Sequence, residues 1–492
     1  MAERTVCSSA PAKAGARGAG LLLAAALAGC SFAPAYHAPV TAAPAAYKEA
    51  GPWQPAAPVD LSAAGDWWTL FNDPTLNGLA AKIGTDNPTL AGALGRYDEA
   101  RAYLAEARSG LFPHIGVSTD ITDNRQSDNR PLRGANQPDL YPADTVGGEV
   151  GYELDLWGRV RNSVAAGKAE AQASGDDLAA LRLSLQAKLA TSYFALRGYD
   201  RQIDLLEKTV DAFSKADAMT RRRFAGGIAN GIATGQSGAE LAEAQAQLEE
   251  VRNARALTEH AIASLVGTPA SSFAIAPAPI DLALPDVPVG LPSTLLQRRP
   301  DIAAAERRMF AANREIGVAK AAFFPSISLG GQGGFQNTGL PSLFTAPNIF
   351  WSVGPSAVLN LFDGGRRRAQ VAVARASWTQ ATADYRGQVL KAFQDVEDGL
   401  SQIHHLGAEG AAEGRAVQQA AQAERLTLNR YVKGAVNYLD VVTAQTTALR
   451  VRRQAIALDT QRLQASVALI QAIGGGWSDA NEADPPPPAS KG

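Results

Sequence analysis

Few side chains in this sequence stand where they could do chemistry, and Cys30 is the clearest. It follows Leu27-Ala28-Gly29 at the end of an apolar run, Ala19 to Ala28, that is led by Arg4, Lys13 and Arg17. The run is too short to cross a bilayer as a helix and reads as the core of a secretion signal. Small residues ending in a cysteine have the form of a lipobox, whose chemistry is cleavage followed by acylation of the thiol. The only other cysteine is Cys7, so no disulfide framework is expected. The other candidates are the carboxylates Glu149, Glu153 and Asp155, which fall on one face of an alternating segment. Carboxylates on one face of a strand can line water; nothing beside them in sequence suggests a nucleophile or a general base.

Other catalytic patterns are missing. The sequence holds no HExxH, P-loop or GxSxG motif, and its five histidines lack metal spacing. His404 and His405 are adjacent and diverge on a helix, and Gly330-Gly331-Gln332-Gly333-Gly334 sits inside an alternating strand rather than before a helix. No enzyme activity, cofactor or metal is therefore expected, beyond the lipid on Cys30. Ser31 stands where an Asp would retain a bacterial lipoprotein at the inner membrane, so sorting to the outer membrane is favoured. The net charge of −2 over 492 residues argues against a nucleic-acid partner. Apolar residues make up 46% but aromatics only 7%, a balance that suits long packed helices better than one large core.

The elements that must position these residues follow from the hydrophobic periods. From Val146 to Leu156, Gly148, Val150, Tyr152, Leu154 and Leu156 share one face, and Glu149, Glu153 and Asp155 share the other, a period of two. Beyond Trp157-Gly158-Arg159 the period changes. Leu178, Leu181, Leu185, Leu189, Ser192, Leu196, Tyr199, Ile203, Leu206, Val210 and Phe213 keep a seven-residue repeat, which implies a long coiled helix. Running from Asn162 to Arg223, it would be roughly 90 Å long, suited to a tunnel wall. Before it, a helix is expected over Leu76 to Arg108, a strand at Ile115 to Ile121, and a loop over Thr122 to Thr145. After it come a Gly-rich turn, Gly226 to Gly238, and a helix from Ala239 to Val266.

The plan then recurs. Arg223, Gly227 and Gly267 match Arg430, Gly434 and Gly474, each 207 residues on. Phe112-Pro113-x-Ile115 resembles Phe324-Pro325-x-Ile327, and Leu154-Asp155-Leu156-Trp157 resembles Leu359-Asn360-Leu361-Phe362. Duplication at this scale sets the domain reading. It assigns a signal peptide over 1–29, an anchored extended segment over 30–75, and a first repeat over 76–267. A Pro-rich linker over 268–292, a second repeat over 293–477 and a disordered tail over 478–492 complete it. Each half supplies two strands. Four cannot close a barrel, and an open edge cannot sit in lipid. Several chains must join, and three would give twelve strands around a water-filled lumen. Glu149, Glu153, Asp155, Ser326, Ser328 and Gln332 would face that lumen, and the apolar faces the outer-membrane lipids.

At this point the residues match a family. Cys30 with Pro34-x-Tyr36, Trp67-Trp68-x-x-Phe71-x-Asp73-Pro74, Glu153 to Arg159, Arg298-Arg299-Pro300-Asp301-Ile302 and Phe362-Asp363-Gly364-Gly365 together resemble the outer-membrane efflux lipoproteins. These are TolC-like exit ducts of tripartite pumps of the resistance-nodulation-division type, NodT subfamily. The resemblance implies an α+β membrane protein: a homotrimer with a twelve-stranded barrel and a periplasmic α-helical barrel. It also implies docking to a periplasmic adaptor and an inner-membrane transporter, and passive export of small molecules. It places a periplasmic gate at the turn from Tyr431 to Val441, with Asp440 at the constriction near Gly434 and the aromatic pair Tyr431 and Tyr438. Ala233 stands where the first repeat would match Asp440, so one carboxylate per chain is expected there. A lipid-anchored periplasmic scaffold without a pore and a type I secretion channel are the alternatives; the two-faced strands favour a channel over the scaffold.

Overall fold

The computed structural model describes residues 31–39, 44, 46–50, 66–127, 129, 138–285, 287 and 298–477. Cys30, the secretion signal and the tail expected over 478–492 lie outside the described residues. In order, the main elements are α1 (Pro74–Asp86), α2 (Pro88–Ser109), β1 (His114–Arg125), β2 (Leu140–Glu153), α3 (Arg159–Ala225) and α4 (Gly231–Leu265). Then come α5 (Pro300–Ala321), β3 (Ser326–Asn337), β4 (Ile349–Val358), α6 (Arg366–Val432) and α7 (Tyr438–Ala472).

Lengths recur between the halves: α2 and α5 have 22 residues each, β1 and β3 have 12, α3 and α6 have 67, and α4 and α7 have 35. Two compact units divide the chain. One takes in the described residues up to Pro39 with Asp98–Ala173 and Glu306–Asp384; the other takes the rest.

The first unit holds the four strands found among the described residues in one antiparallel sheet, ordered β1-β2-β3-β4. β1 pairs with β2 from His114↔Gly151 to Arg125↔Leu140, so both ends of the loop expected over Thr122 to Thr145 are strand. The Asp, Asn and Thr side chains there resemble turn chemistry, but a ladder is made by backbone groups, and a hairpin continues past the apolar stretch wherever they can pair.

In the second unit the heptad face of α3 is the buried one. Leu189, Leu196, Leu206 and Phe213 are buried. Leu206 packs with Leu248, Val251 and Leu449 from α4 and α7. Trp67, Trp68 and Phe71 are also buried, with Phe71 4.7 Å from Phe194 of α3.

The expected helix over Leu76 to Arg108 is two helices, because Pro88 cannot continue the ladder. Asn87 instead caps α2, accepting from the Leu90 N–H at 2.9 Å, and donates to the last carbonyl of α4, that of Leu265, at 2.7 Å. Arg299 does the same for the second half, donating to the Ala472 carbonyl at 3.2 Å while pairing with Asp301 and Asp395. After each of those helices a glycine turns left-handed, Gly267 at φ 70° and Gly474 at φ 95°. A side chain at either would strike a backbone carbonyl, of Asp86 or of Arg298.

Candidate functional site

Two places gather the residues singled out by sequence. The first is the sheet. Register puts Ile115, Val150, Gly331 and Val353 in one cross-strand row, and Gly116, Glu149, Gln332 and Ser352 in the next. Rows alternate between faces, so Val117, Tyr152, Leu329, Phe335, Ile349 and Trp351 share the face of Val150. The other face carries Ser118, Asp120, Thr145, Glu149, Gln332, Ser352 and Ser356. Val117 is 81% exposed, Trp351 75% and Val353 69%, which leaves a sheet with one polar and one bare apolar face. No helix among the described residues is long and apolar enough to cross a membrane. A β-sheet with such a face crosses lipid only as part of a closed barrel.

Glu149 sits on the polar face as expected. Glu153, the last residue of β2, still pairs in register with Ser328 on the polar face, whereas Asp155 lies beyond the strand and is not placed as the alternation suggests. Leu154 makes the final bond to β3, donating to the Ile327 carbonyl at 2.8 Å, and the chain then turns. Glu153 binds Arg159 at 2.6 Å. Asp155 caps α3, accepting from the N–H groups of Val160 at 3.1 Å and Arg161 at 2.8 Å, and pairs with the Arg161 side chain at 3.1 Å. A period of two cannot register where the ladder stops; the helix start after Gly158 was the signal.

A matching carboxylate opens α6. Asp363 accepts from the N–H groups of Gly365 at 3.0 Å and Arg367 at 3.2 Å, and pairs with the Arg367 side chain at 2.6 Å. These bonds hold its carboxyl below the ordinary range. Asp363 thus neutralises Arg367 at a helix start, where the dipole disfavours positive charge.

The second place is the pair of helix turns, α3 to α4 and α6 to α7. Both are built alike. Gly227 (φ 69°) and Gly434 (φ 78°) follow their helices in the left-handed conformation. The next N–H closes back on Arg223 at 2.8 Å or Arg430 at 2.9 Å, as in a Schellman motif. Asn230 and Asn437 then cap α4 and α7, accepting from the Ala233 N–H at 3.0 Å and the Asp440 N–H at 3.1 Å.

Side chains make the second turn different. Tyr431, Tyr438 and Val441 are buried together, with Met219, Ala233, Leu428, Val436 and Val442 against them. The tyrosine rings meet edge to face at 5.4 Å. Burial, then the nearby Tyr431, Glu240 and Asp217, push the Tyr438 hydroxyl up to about 12.

Asp440 does not join this cluster. It is exposed, and its carboxylate accepts from the Asn437 N–H at 3.3 Å, completing a capping box.

Two residues that the pattern did not single out hold the turns. Arg223 places its guanidinium over the Tyr431 ring, 4.7 Å from its centroid, and donates to the Tyr431 carbonyl at 3.3 Å and the Val432 carbonyl at 3.1 Å. It thereby caps the end of α6. Asp217 pairs with Arg221 at 2.6 Å and accepts from the Ser237 hydroxyl at 2.7 Å. Burial opposes its ionisation, but those two bonds outweigh burial and hold its carboxyl below the ordinary range. Two of the three consecutive arginines 221–223 are thus engaged; the four-residue spacing of Asp217 and Arg221 was the available signal. Among the described residues no group of three or more His, Cys, Asp and Glu is arranged to hold a metal.

The outer membrane efflux protein model matches this chain twice, over residues 81–268 and 291–475. The chain belongs to the outer membrane efflux protein family. It is 33% identical to the outer membrane protein OprJ of Pseudomonas aeruginosa over 464 residues, 93% of this chain and 95% of that one. It is 29% identical to the antibiotic efflux pump outer membrane protein ArpC of Pseudomonas putida, over 92% of this chain and 93% of the relative. Among solved structures, the outer-membrane channel OprN superposes with a TM-score of 0.83 at 29% identity, covering 91% of this chain and all of that one. The Vibrio cholerae outer membrane protein VceC gives 0.79 at 29% identity, covering 84% and 99%. The family is one of outer-membrane channel proteins, α+β with long helices, and this chain lies in the outer membrane and extends into the periplasm.

Proposed function

We propose that the chain is the passive exit duct of a tripartite efflux pump. The observation that carries this reading is the four-stranded sheet with one polar face, one bare apolar face and two unpaired edges, β1 and β4. In lipid those edges must pair with further copies. Three chains give twelve strands, enough for an aqueous lumen lined by Glu149, Gln332, Ser352 and their neighbours. The transported small molecule is selected by the inner-membrane transporter, and a periplasmic adaptor links the two; the duct itself performs no reaction. Asp440, with Gly434 and the tyrosine pair behind it, forms the periplasmic constriction in this reading, one carboxylate per chain.

Cys30 carries the lipid. Support comes from its lipobox and from the residues after it: the Ser31 hydroxyl and the Asn162 side chain hydrogen-bond at 3.1 Å, and the Tyr36 hydroxyl donates to Glu306 at 2.7 Å. Labelling with a palmitate analogue is expected to mark the wild type and spare Cys30→Ser; equal labelling of both would remove the assignment. For the duct itself, mass measurement in detergent is expected to give three chains per particle, and planar bilayers a steady conductance. A conducting monomer would sink the reading.

A further inference from the structure

The second repeat keeps two arginines of the first and drops the carboxylates that serve them. At the start of α3, Arg159 binds Glu153 at 2.6 Å and Arg161 binds Asp155 at 3.1 Å, so both charges are met within the chain. An offset of 207 residues carries these arginines to Arg366 and Arg368 of α6. Leu154-Asp155-Leu156 resembles Leu359-Asn360-Leu361, so Val358 stands for Glu153 and Asn360 for Asp155. The carboxylate that does stand here, Asp363, pairs instead with Arg367 at 2.6 Å. Arg367 also lies over the Phe323 ring, 5.3 Å from its centroid. Arg366 and Arg368 are exposed and form no ion pair among the described residues. The helix supplies no partner further on: from Arg366 to Ala383 it carries four arginines and no carboxylate.

The first repeat also shows which way each arginine points. Glu153 pairs in register with Ser328 on the polar face of the sheet, so Arg159, bound to it, lies on that side. Arg161 stands about 200° further round the helix and is turned towards the other side. The same offset puts Arg366 on the polar side and Arg368 on the side of the bare apolar face. The chain that leads up to Arg368 carries that apolar surface on: Leu361 is 86% exposed and Phe362 87%. β4 ends at Val358 and α6 extends into the periplasm, so Arg368 follows the strand's periplasmic end, where the headgroups of the periplasmic leaflet lie.

We propose that Arg368 holds the phosphate of an anionic glycerophospholipid of the periplasmic leaflet, with the acyl chains against Leu361 and Phe362. A guanidinium presents paired N–H groups that match two phosphate oxygens. The helix end itself is not the ligand, because the N–H groups of Gly365 and Arg367 already bind Asp363. Arg375, about two turns further along the same face, adds to the positive field. A headgroup with an ammonium of its own is repelled there, and one with net negative charge, such as phosphatidylglycerol, is favoured. The site needs the sheet to span the outer membrane as the duct reading has it, but not any particular number of chains.

Native mass spectrometry of the full-length lipoprotein in detergent tests this, with phosphatidylglycerol or phosphatidylethanolamine of the same acyl chains added. The wild type is expected to hold phosphatidylglycerol at least about fivefold more tightly than phosphatidylethanolamine. Arg368→Ala should weaken the phosphatidylglycerol complex about tenfold, since a charge-assisted bond is lost. Arg366→Ala, on the far side of the helix, should change it by less than about twofold. Equal retention of the two lipids, or wild-type binding by Arg368→Ala, overturns the site. If Arg366→Ala costs as much as Arg368→Ala, charge alone attracts the lipid and the assignment to Arg368 falls. A large excess of inorganic phosphate should leave the lipid bound; its displacement would make the occupant a free anion. Dissociation of the oligomer by Arg368→Ala, with the lipid count per chain unchanged, would give Arg368 a carboxylate of a second copy instead. Selective binding by single chains would uphold the site while sinking the three-chain duct.

Discussion

The two helix turns of this chain share one backbone and carry different loads. Each has an arginine four residues before a left-handed glycine, and an asparagine three residues after that glycine caps the departing helix. At the first turn the ring position is Phe224, half exposed, and the helix starts on Gly231. At the second the ring position is Tyr431, buried, and the helix starts on Tyr438, also buried. The backbone device is thus generic, and the aromatic cluster specific to one turn. Moreover, the cluster is not held by its own turn. Arg430 is exposed, whereas Arg223, from the other turn, reaches across to the Tyr431 ring and carbonyl.

The sharpest way to break this comparison is to empty the cluster. Tyr431→Ala or Tyr438→Ala is expected to cost on the order of 3 kcal/mol of local stability, and Phe224→Ala well under half of that. Hydrogen exchange of the flanking helix amides reads the difference; equal deprotection at both turns would erase it. Next in size, Arg223→Ala removes two carbonyl bonds and a cation–π contact, about 1–2 kcal/mol. Arg430→Ala should leave the same amides within about 0.5 kcal/mol of wild type.

Titration separates the turns from opposite ends of the pH scale. The Asp217 carboxyl is held low in the fold, so its contribution is complete at neutral pH and disappears as acid protonates it below the ordinary carboxylate range. The α3–α4 turn should loosen first in acid. Tyr438 is raised to about 12, so its contribution is complete below the usual tyrosine value and is lost as pH climbs from there towards 12. The α6–α7 turn should loosen first in alkali. Tyrosine absorbance with pH-jump exchange checks both, and a reversed order would contradict the assignment.

Cap loss should instead treat the turns alike, with Asn230→Ala and Asn437→Ala each costing about 1 kcal/mol. Smallest in stability is Asp440→Asn, a few tenths of a kcal/mol from its capping-box bond. Its effect belongs in conductance. Changed cation selectivity and divalent block in planar bilayers are expected, and an unchanged channel would take Asp440 off the constriction.

Much of this was legible beforehand because it is periodic. Alternation in β2 and β3 fixed the polar and apolar faces, and the heptad in α3 fixed which side is buried. Offsets between matching glycines located both turns. What escaped the sequence was non-periodic. Asp155 continues an alternation after the strand has stopped, and only the bond from Leu154 to Ile327 shows where it stops. Gly235 and Gly238 look like turn residues, yet Asn230 has already started the helix ahead of them. Arg223 acts across elements, and no spacing along one chain segment reports a partner 200 residues away.

The recurrence of 67-residue and 35-residue helices has a consequence for how such a chain can change. Arg223 meets Tyr431 only while α3 and α6 carry their turns in step, and the α4 and α7 ends meet Asn87 and Arg299 only while the return helices keep pace. A single heptad inserted into α3 would part these contacts. One inserted at the matching point of all four helices would restore them. Insertions in this lineage should therefore survive in matched sets, so that the two halves lose their likeness in sequence long before they lose it in length.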